Sequence, residues 1–532
     1  MSFDYKRAIK KVVHEELKGN NPIPDILGFQ HLKPLYEDKL SDILDSLFAN
    51  YKSNTKNPLP LLKIDVPKPN FTIRPMSRPE NKDWFLYEAI VDSLASKIIP
   101  DDHICKRSFS YLNYLPSTAK ENNWIKFDDK CRELYSMGFK HAVIADLTGY
   151  YENISLSELK KRLSNYLIVD EETDLKISVL CKLLHTWSDE RVSDYGLPQG
   201  PPASSFLADI YLDFVDSKME KYENYYRYMD DIKIFCKTEI EAKKALKDLI
   251  IALRDIKLNI NAKKTKILHG TEIASLLFDP LKASLSSIDS ILKSKNRTQV
   301  INIISSLQII FANAFVDNLF EKTHLTFALY RLSKLHSSGF ALNTEKIIAL
   351  IIENFVSKPH HAGLFCFFLT LFQNNIEIVR FLIKYLQSDN NIYDWQEIRV
   401  LQSLLRLNVK LGPSDIKFFI TSGMNSNKHF AARAFYFLLV GKYGNNRERD
   451  LVIGCYNVEL NSYIKTAIIL SVQELGKDSR NDFYAWIRKY ETDKEVIEFL
   501  SYVKSLKYPL YCLDIPRPTL EGLEDIEPSP YY

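Results

Sequence analysis

The stretch that most constrains this chain is Tyr225-Tyr-Arg-Tyr-Met-Asp-Asp-Ile-Lys-Ile-Phe235. Its flanks alternate aromatic or β-branched side chains with polar ones, which predicts two short strands joined by a tight turn. The turn carries Asp230 and Asp231. Two readings of the pair are open at this point. In isolation it is a solvated acidic turn. Supported by further carboxylates it is a place for Mg²⁺, a hard cation normally held by one or two carboxylates together with substrate phosphates.

Two upstream segments bear on that choice. His141-Ala-Val-Ile-Ala-Asp146-Leu-Thr-Gly-Tyr-Tyr151 is an apolar strand that runs straight into an aspartate. A buried strand tolerates an ionised carboxylate only where something compensates its charge, and a metal or a set of turn amides does so equally well. Gly196-Leu-Pro-Gln199-Gly200-Pro-Pro-Ala-Ser-Ser205 precedes an apolar helix. Glycines there let backbone approach a ligand, and a helix N-terminus presents free N–H groups to it; a simple turn with an N-cap accounts for the same residues.

The rest of the chain sets bounds. Its 532 residues suffice for two or three domains, and 46% hydrophobic with 26% charged residues is ordinary globular composition. No apolar run approaches membrane-spanning length, and Met1-Ser-Phe-Asp-Tyr-Lys-Arg7 lacks a signal-peptide core. Seven cysteines without a Cys-x-x-Cys pair argue against a disulfide framework or zinc site and suit a reducing cytoplasm. A net charge of +3 announces no nucleic-acid binder, so any basic surface must be local.

Periodicity divides the chain into four. Residues 1–55 form an N-terminal helical segment, with apolar spacing through Ile9, Val12, Val13 and Leu17 and again through Leu40, Ile43, Leu44 and Leu47. Residues 56–275 begin with a proline-punctuated extended stretch and continue as an α+β pattern. Helices are predicted near 83–99, 155–168, 203–221 and 239–255, and strands at 141–147, 225–236 and 264–268. From 285 to 510 amphipathic segments follow one another, at 298–313, 318–336, 344–356, 361–386, 394–409, 413–421, 428–441, 462–474 and 494–506. Pairs of 35 to 45 residues suit a degenerate helical repeat. Residues 511–532 are an acidic, proline-bearing tail.

The ordered set of segments resembles the reverse transcriptase family. Asp146 with Tyr150-Tyr151 is similar to that family's first carboxylate motif, Leu197-Pro-Gln-Gly200 to its nucleotide-pocket motif, and Tyr228-Met-Asp-Asp231 to its metal motif. Phe71-Thr-Ile-Arg74-Pro-Met-Ser-Arg-Pro79 with Asp83 resembles the fingers motif of intron-type enzymes, and Leu258-Asn-Ile-Asn-Ala-Lys-Lys264-Thr-Lys-Ile267 a late palm motif. The resemblance covers about residues 60 to 270. It implies that Asp146, Asp230 and Asp231, with the carbonyl of Leu147, hold two Mg²⁺ ions, a role Mn²⁺ also fills, and that the substrates are dNTPs. Tyr151 resembles the steric gate against a ribose 2′-hydroxyl. Gln199 and Gly200 border the incoming nucleotide, Arg74 binds its phosphates through a planar guanidinium, and Lys264 is a phosphate contact or proton donor, or else a solvated lysine of a basic run.

Departures from the pattern point to a branch. Asp83 is followed by Trp84 rather than Arg, Arg78 replaces an apolar residue, and the palm is followed by helices instead of a maturase, endonuclease or RNase H segment. That layout resembles the bacterial abortive-infection reverse transcriptases, whose polymerase domain precedes a HEAT-like helical domain. The resemblance implies a cytoplasmic, homo-oligomeric enzyme of phage defence that makes single-stranded DNA without a template, attached covalently to a priming tyrosine. Composition, with 30 tyrosines, identifies no primer: Tyr5, Tyr36, Tyr51, Tyr531 and Tyr532 lie in segments open to motion, and each equally suits a surface or packing role. Two alternatives stand beside this reading: a templated polymerase of retron or intron type, and an inactive palm scaffold that binds nucleic acid or a partner. In the helical half, Phe327, Tyr330, Arg331, Lys334 and His336 suit either a single-strand channel or ordinary helix packing.

Overall fold

In a computed structural model the described residues are 3–17, 21–27, 36, 38–98, 107–110, 123–167, 170–188, 193–278, 281–294, 296–316 and 321–511. The acidic tail, with Tyr531 and Tyr532, lies outside them apart from Tyr511. The chain divides into two compact units: residues 1–15, 37–62 and 77–282 form the first, and residues 16–36, 63–76 and 283–532 the second.

Elements run in chain order as α1 (Tyr5–Leu17), α2 (Leu40–Lys52), β1 (Leu62–Pro67), β2 (Ile73–Arg78), α3 (Asn81–Ile98), α4 (Asn123–Ser136) and β3 (His141–Ala145). Then follow α5 (Leu156–Tyr166), α6 (Glu171–Trp187), α7 (Pro202–Lys218), β4 (Tyr225–Tyr228), β5 (Asp231–Cys236), α8 (Glu239–Asp255), β6 (Lys266–His269) and α9 (Thr271–Leu277). Sequence chemistry sets several boundaries. Ser155, Asp170 and Thr238 accept the N–H of Glu158, Thr173 and Glu241, capping α5, α6 and α8. In α3 almost every side chain is buried, so its charges must be matched. Asp83 accepts the Tyr51 hydroxyl and the Leu59 N–H, and Asp92 pairs with Lys11 at 2.6 Å and Arg7 at 3.1 Å.

The first unit holds a four-stranded antiparallel sheet in the order β4-β5-β3-β6. Ala142, Val143, Ala145, Ile232 and Ile234 are fully buried in it. Register carries the functional consequence: Ala145 faces Ile232 across β3 and β5, while Tyr228 faces Asp231 across the hairpin. Asp146, one residue beyond β3, is thereby brought to the β4–β5 turn. The strand expected at 264–268 starts at Lys266 instead. Lys264 and Thr265 are held in a turn, their N–H groups donating to the Asn261 carbonyl at 3.1 and 2.8 Å. Three helices of this unit, α4, α6 and the short α9, went unpredicted. Helix α4 buries only Phe127, Cys131 and Leu134, a thin stripe, whereas α6 shows a plain helical spacing through Ile177, Leu180, Leu184 and Trp187.

Among the described residues from Lys282 onward the helices are α10 (Lys282–Ser294), α11 (Arg297–Asn313), α12 (Glu321–Ser337), α13 (Thr344–Asn354), α14 (Ala362–Leu369), α15 (Ile376–Leu386) and α16 (Asp394–Arg406), then α17 (Pro413–Met424), α18 (Phe430–Tyr443), α19 (Asn446–Tyr456), α20 (Ser462–Ser471), α21 (Lys477–Tyr490) and α22 (Lys494–Ser505). The segment expected at 361–386 is two helices. Asn374 takes a left-handed φ of 63°, and Asn375 then caps α15 through the N–H groups of Glu377 and Ile378. Helices α10, α19 and α21 were not anticipated; α19 and α21 each bury only three residues among many charges. Helix α18 is buried from Ala434 to Gly441. Gly441 lies so near α20 that a Cβ there would sit 2.5 Å from the Ser471 Cα. The aromatic and basic residues of α12 pack inward: Phe327, Arg331 and Lys334 are buried, and Arg331 pairs with Asp289 at 2.6 Å.

Candidate active site

The carboxylates come from a strand end and a turn. Asp146 accepts hydrogen bonds from Lys264 Nζ at 3.2 Å and Asn261 Nδ2 at 3.2 Å, and its carbonyl accepts the Asn261 N–H at 2.7 Å. Leu147 is buried and bridges antiparallel to Ile260. Asp230 and Asp231 follow Met229, whose φ of 54° turns the hairpin. Lys233 Nζ stands 3.5 Å from Asp231 Oδ2. Burial pushes the Asp231 carboxyl up, Lys233 pulls it down, and the carboxylates of Asp146 and Asp128 push it up again, for a net rise. Asp146 and Asp231 thus share one electrostatic site.

This donor set fits Mg²⁺. It is all oxygen, and its carboxylates repel one another until a cation enters. The three do not form a single-ion cage: among the described residues, only Glu321, His360 and His361 place three ligand atoms within 4.8 Å of one another. A pair of ions about 3.5–4 Å apart draws its ligands from a wider set. The Glu321 group is an ion-pair cluster. Lys358 lies 2.8 Å from Glu321 Oε2 and His361 Nε2 is 3.0 Å from Oε1, so both oxygens are taken and an ammonium already sits where a second cation would be repelled.

The loop at 196–200 is tied to both neighbours of the site. Leu197 N–H donates to the Tyr151 carbonyl at 2.9 Å, and Ser77 N–H donates to the Gln199 carbonyl at 2.9 Å. Gly200 is required here, since with φ at 153° a Cβ would lie 2.6 Å from the Ser77 carbonyl oxygen. Tyr151 is half-buried, and its hydroxyl is 3.1 Å from Ser205 Oγ on α7. One expectation is corrected: the N-terminus of α7 offers no open row of N–H groups. Pro201 and Pro202 carry none, and the Ala203 N–H donates to the fully buried Glu88 at 3.1 Å. Trp84, the departure beside Asp83, donates its indole N–H to the same Glu88 carboxylate at 3.3 Å.

Eight of the nine expected residues, Asp146, Leu147, Tyr151, Gln199, Gly200, Asp230, Asp231 and Lys264, belong to the first unit. Arg74 lies on β2 among residues of the second, half-buried; burial, and after it the Arg74 charge, lowers the Lys322 ammonium to about 8. Sequence reading missed Asn261, which holds Asp146, and the buried group of Asp209, Asp216 and Arg227. A signal for the latter existed: Asp209, Asp213 and Asp216 recur along a largely apolar helix, and Arg227 stands among the tyrosines of β4. Of the five tyrosines singled out in the sequence, the three among the described residues are engaged. Tyr5 donates to Asp45 at 2.6 Å, Tyr36 to Glu498 at 3.0 Å and Tyr51 to Asp83, with Tyr36 and Tyr51 buried.

Residues 66–326 match the family model for reverse transcriptase (RNA-dependent DNA polymerase). That match spans just under half of the chain. One similar solved structure is apo telomerase from Candida tropicalis truncated from its C-terminal domain, at 17% identity and a TM-score of 0.31, with 43% of this chain and 54% of that chain covered. The chain thus spans about half the length of that structure. No curated protein matches it. Among the described residues no helix is long and apolar enough to cross a membrane.

Proposed function

We propose that the chain is a DNA polymerase of the reverse transcriptase type that joins dNTPs at Asp146, Asp230 and Asp231. The observation that carries this is the sheet register, which sets Ala145 opposite Ile232 and so brings the carboxylate after β3 to the two in the β4–β5 turn. Asp146, Asp230 and Asp231 would hold two Mg²⁺ ions, whose chemistry would be to activate the attacking oxygen and clamp the triphosphate. The protein's part is placement. Lys264, paired with Asp146 at 3.2 Å, is the cation beside that carboxylate and would contact a substrate phosphate. Tyr151, braced against Ser205, excludes a ribose 2′-hydroxyl; Gln199 and Gly200 border the base and sugar, and Arg74 binds phosphate oxygens.

The finer reading is that of an abortive-infection enzyme of phage defence, cytoplasmic and homo-oligomeric, whose synthesis is untemplated and primed by a tyrosine of the protein. Its support is the run of helices from α10 to α22 after the palm, in the place of a HEAT-like repeat domain. A phenol is an oxygen nucleophile that the same metals activate. No tyrosine is assigned as primer, because Tyr5, Tyr36 and Tyr51 each donate to a carboxylate. Incubating the protein with Mg²⁺ and labelled dNTPs, without template, tests this reading. Label bound covalently to the polypeptide is expected; incorporation only with added template and primer, leaving the protein unlabelled, favours the retron or intron type.

A further inference from the structure

The turn that carries Asp230 and Asp231 is held from beneath by charges that touch no substrate. Arg227, the third residue of β4, is fully buried with Asp209 and Asp216 of α7. Its Nε donates to Asp216 at 2.8 and 3.0 Å and one terminal nitrogen to Asp216 at 2.7 Å; the other terminal nitrogen donates to Asp209. Tyr225 adds a hydroxyl to Asp216 at 2.7 Å. One guanidinium faces two carboxylates, so the excess negative charge must be met by neutral donors.

Asp209 Oδ1 meets it by accepting the hydroxyls of Ser108 at 3.0 Å and Ser110 at 2.8 Å. With the Ser110 proton committed to Asp209, its oxygen lone pair is left to accept, and the Met229 N–H donates to it at 2.8 Å. Met229 is the residue whose φ of 54° makes the turn, a conformation that costs energy for a non-glycine residue and persists only where its surroundings fix it. The chain of hydrogen bonds therefore has one direction: guanidinium to carboxylate, hydroxyl to carboxylate, amide to hydroxyl.

We infer that Ser110, oriented by the buried Asp209–Arg227–Asp216 triad, is a positioning residue that fixes the Met229 amide and hence the aim of the Asp230 and Asp231 carboxylates. The inference rests on the proposed polymerase reading for its kinetic consequence but not for its structural one. Neither Ser110 nor Asp209 contacts the reacting atoms; each acts through the turn. Arg227 is the least replaceable member, since a lysine ammonium cannot span two carboxylates as the planar fork does.

The test uses the full chain. In Ser110→Ala, kcat for dNTP incorporation is expected to fall about tenfold to a hundredfold, with KM for dNTP changed by less than about twofold, and Ser110→Thr restores most of the loss. Amide hydrogen exchange of the peptide spanning 225–236, measured without metal or nucleotide, is expected to quicken about tenfold in Ser110→Ala. If both kcat and exchange stay at wild-type values, the positioning role is overturned. Should Ser110→Ala fail to fold, Asp209→Asn carries the same pair of readouts, and unchanged values there overturn it likewise. A wild-type protein that incorporates no dNTP under any condition refutes the polymerase reading, while the exchange arm still decides the positioning role.

Discussion

Charge at single residues decides how the site responds to substitution and to pH. Asp230→Asn removes an anionic ligand while keeping shape, and is expected to lower dNTP incorporation by about a hundredfold or more, with the melting temperature unchanged or raised because a repelling carboxylate is gone. Tyr151→Ala removes the ring proposed to fill the 2′ position; relative use of ribonucleotides over deoxynucleotides, measured with competing labels, is expected to rise about tenfold or more. Asp231 must be ionised to hold a cation. Because burial and the neighbouring carboxylates raise it, the acid limb of kcat/KM against pH is expected above the ordinary carboxylate range near 3.9. Lys233 is the group that pulls it down, so Lys233→Met should move that limb to still higher pH. A limb that stays where it is contradicts the assignment of Asp231 as a ligand.

At the scale of elements, the order in which strands and loops come together explains what the chain's pattern discloses and what it hides. The hairpin was readable because strand alternation is local, and β4 and β5 occupy the predicted 225–236. Asp146 was readable as the end of an apolar strand; that Asn261 holds it was not, since 115 positions separate them and the bridge between Leu147 and Ile260, outside the named strands, makes them neighbours. Gly200 was read as a place for ligand approach, whereas its visible constraint is the backbone of Ser77. Gly200→Ala is therefore expected to cost about 1–3 kcal/mol of stability by chemical denaturation, whether or not nucleotide is bound. Gly441→Ala makes the matching test of the second unit. Its Cβ would meet Ser471 on α20 at 2.5 Å, and a loss of about 1–3 kcal/mol is expected there too; a change below about 0.5 kcal/mol would mean that α18 and α20 do not approach so closely. The long segment 361–386 was misread as one helix because apolar periodicity continues through its break, which Asn374 and Asn375 make by backbone conformation rather than by polarity.

The whole molecule joins a segment that matches the reverse transcriptase model to helices whose stability depends on acid in a defined way. Burial lowers His360 to about 4, and Glu321, although burial pushes it up, is held down to about 2 by His361 and Lys358. Both shifts mean that the folded state binds fewer protons than the unfolded one. The histidine's contribution is present above about 6.5 and lost as pH falls toward 4; the glutamate's is present above about 4.5 and lost toward 2. Thermal melts are expected to show the second unit weakening first below pH 6.5, with His360→Asn flattening the profile between 6.5 and 4; an unchanged profile in that variant contradicts the assignment. The central claim concerns the other unit, and one measurement meets it directly: incorporation of labelled dNTPs in Mg²⁺ by the full chain, with and without added template and primer, for wild type and Asp230→Asn side by side. The account predicts incorporation by wild type in at least one arm and a loss of about a hundredfold or more in the variant. Equal incorporation by the variant, or none by wild type in either arm, would contradict it.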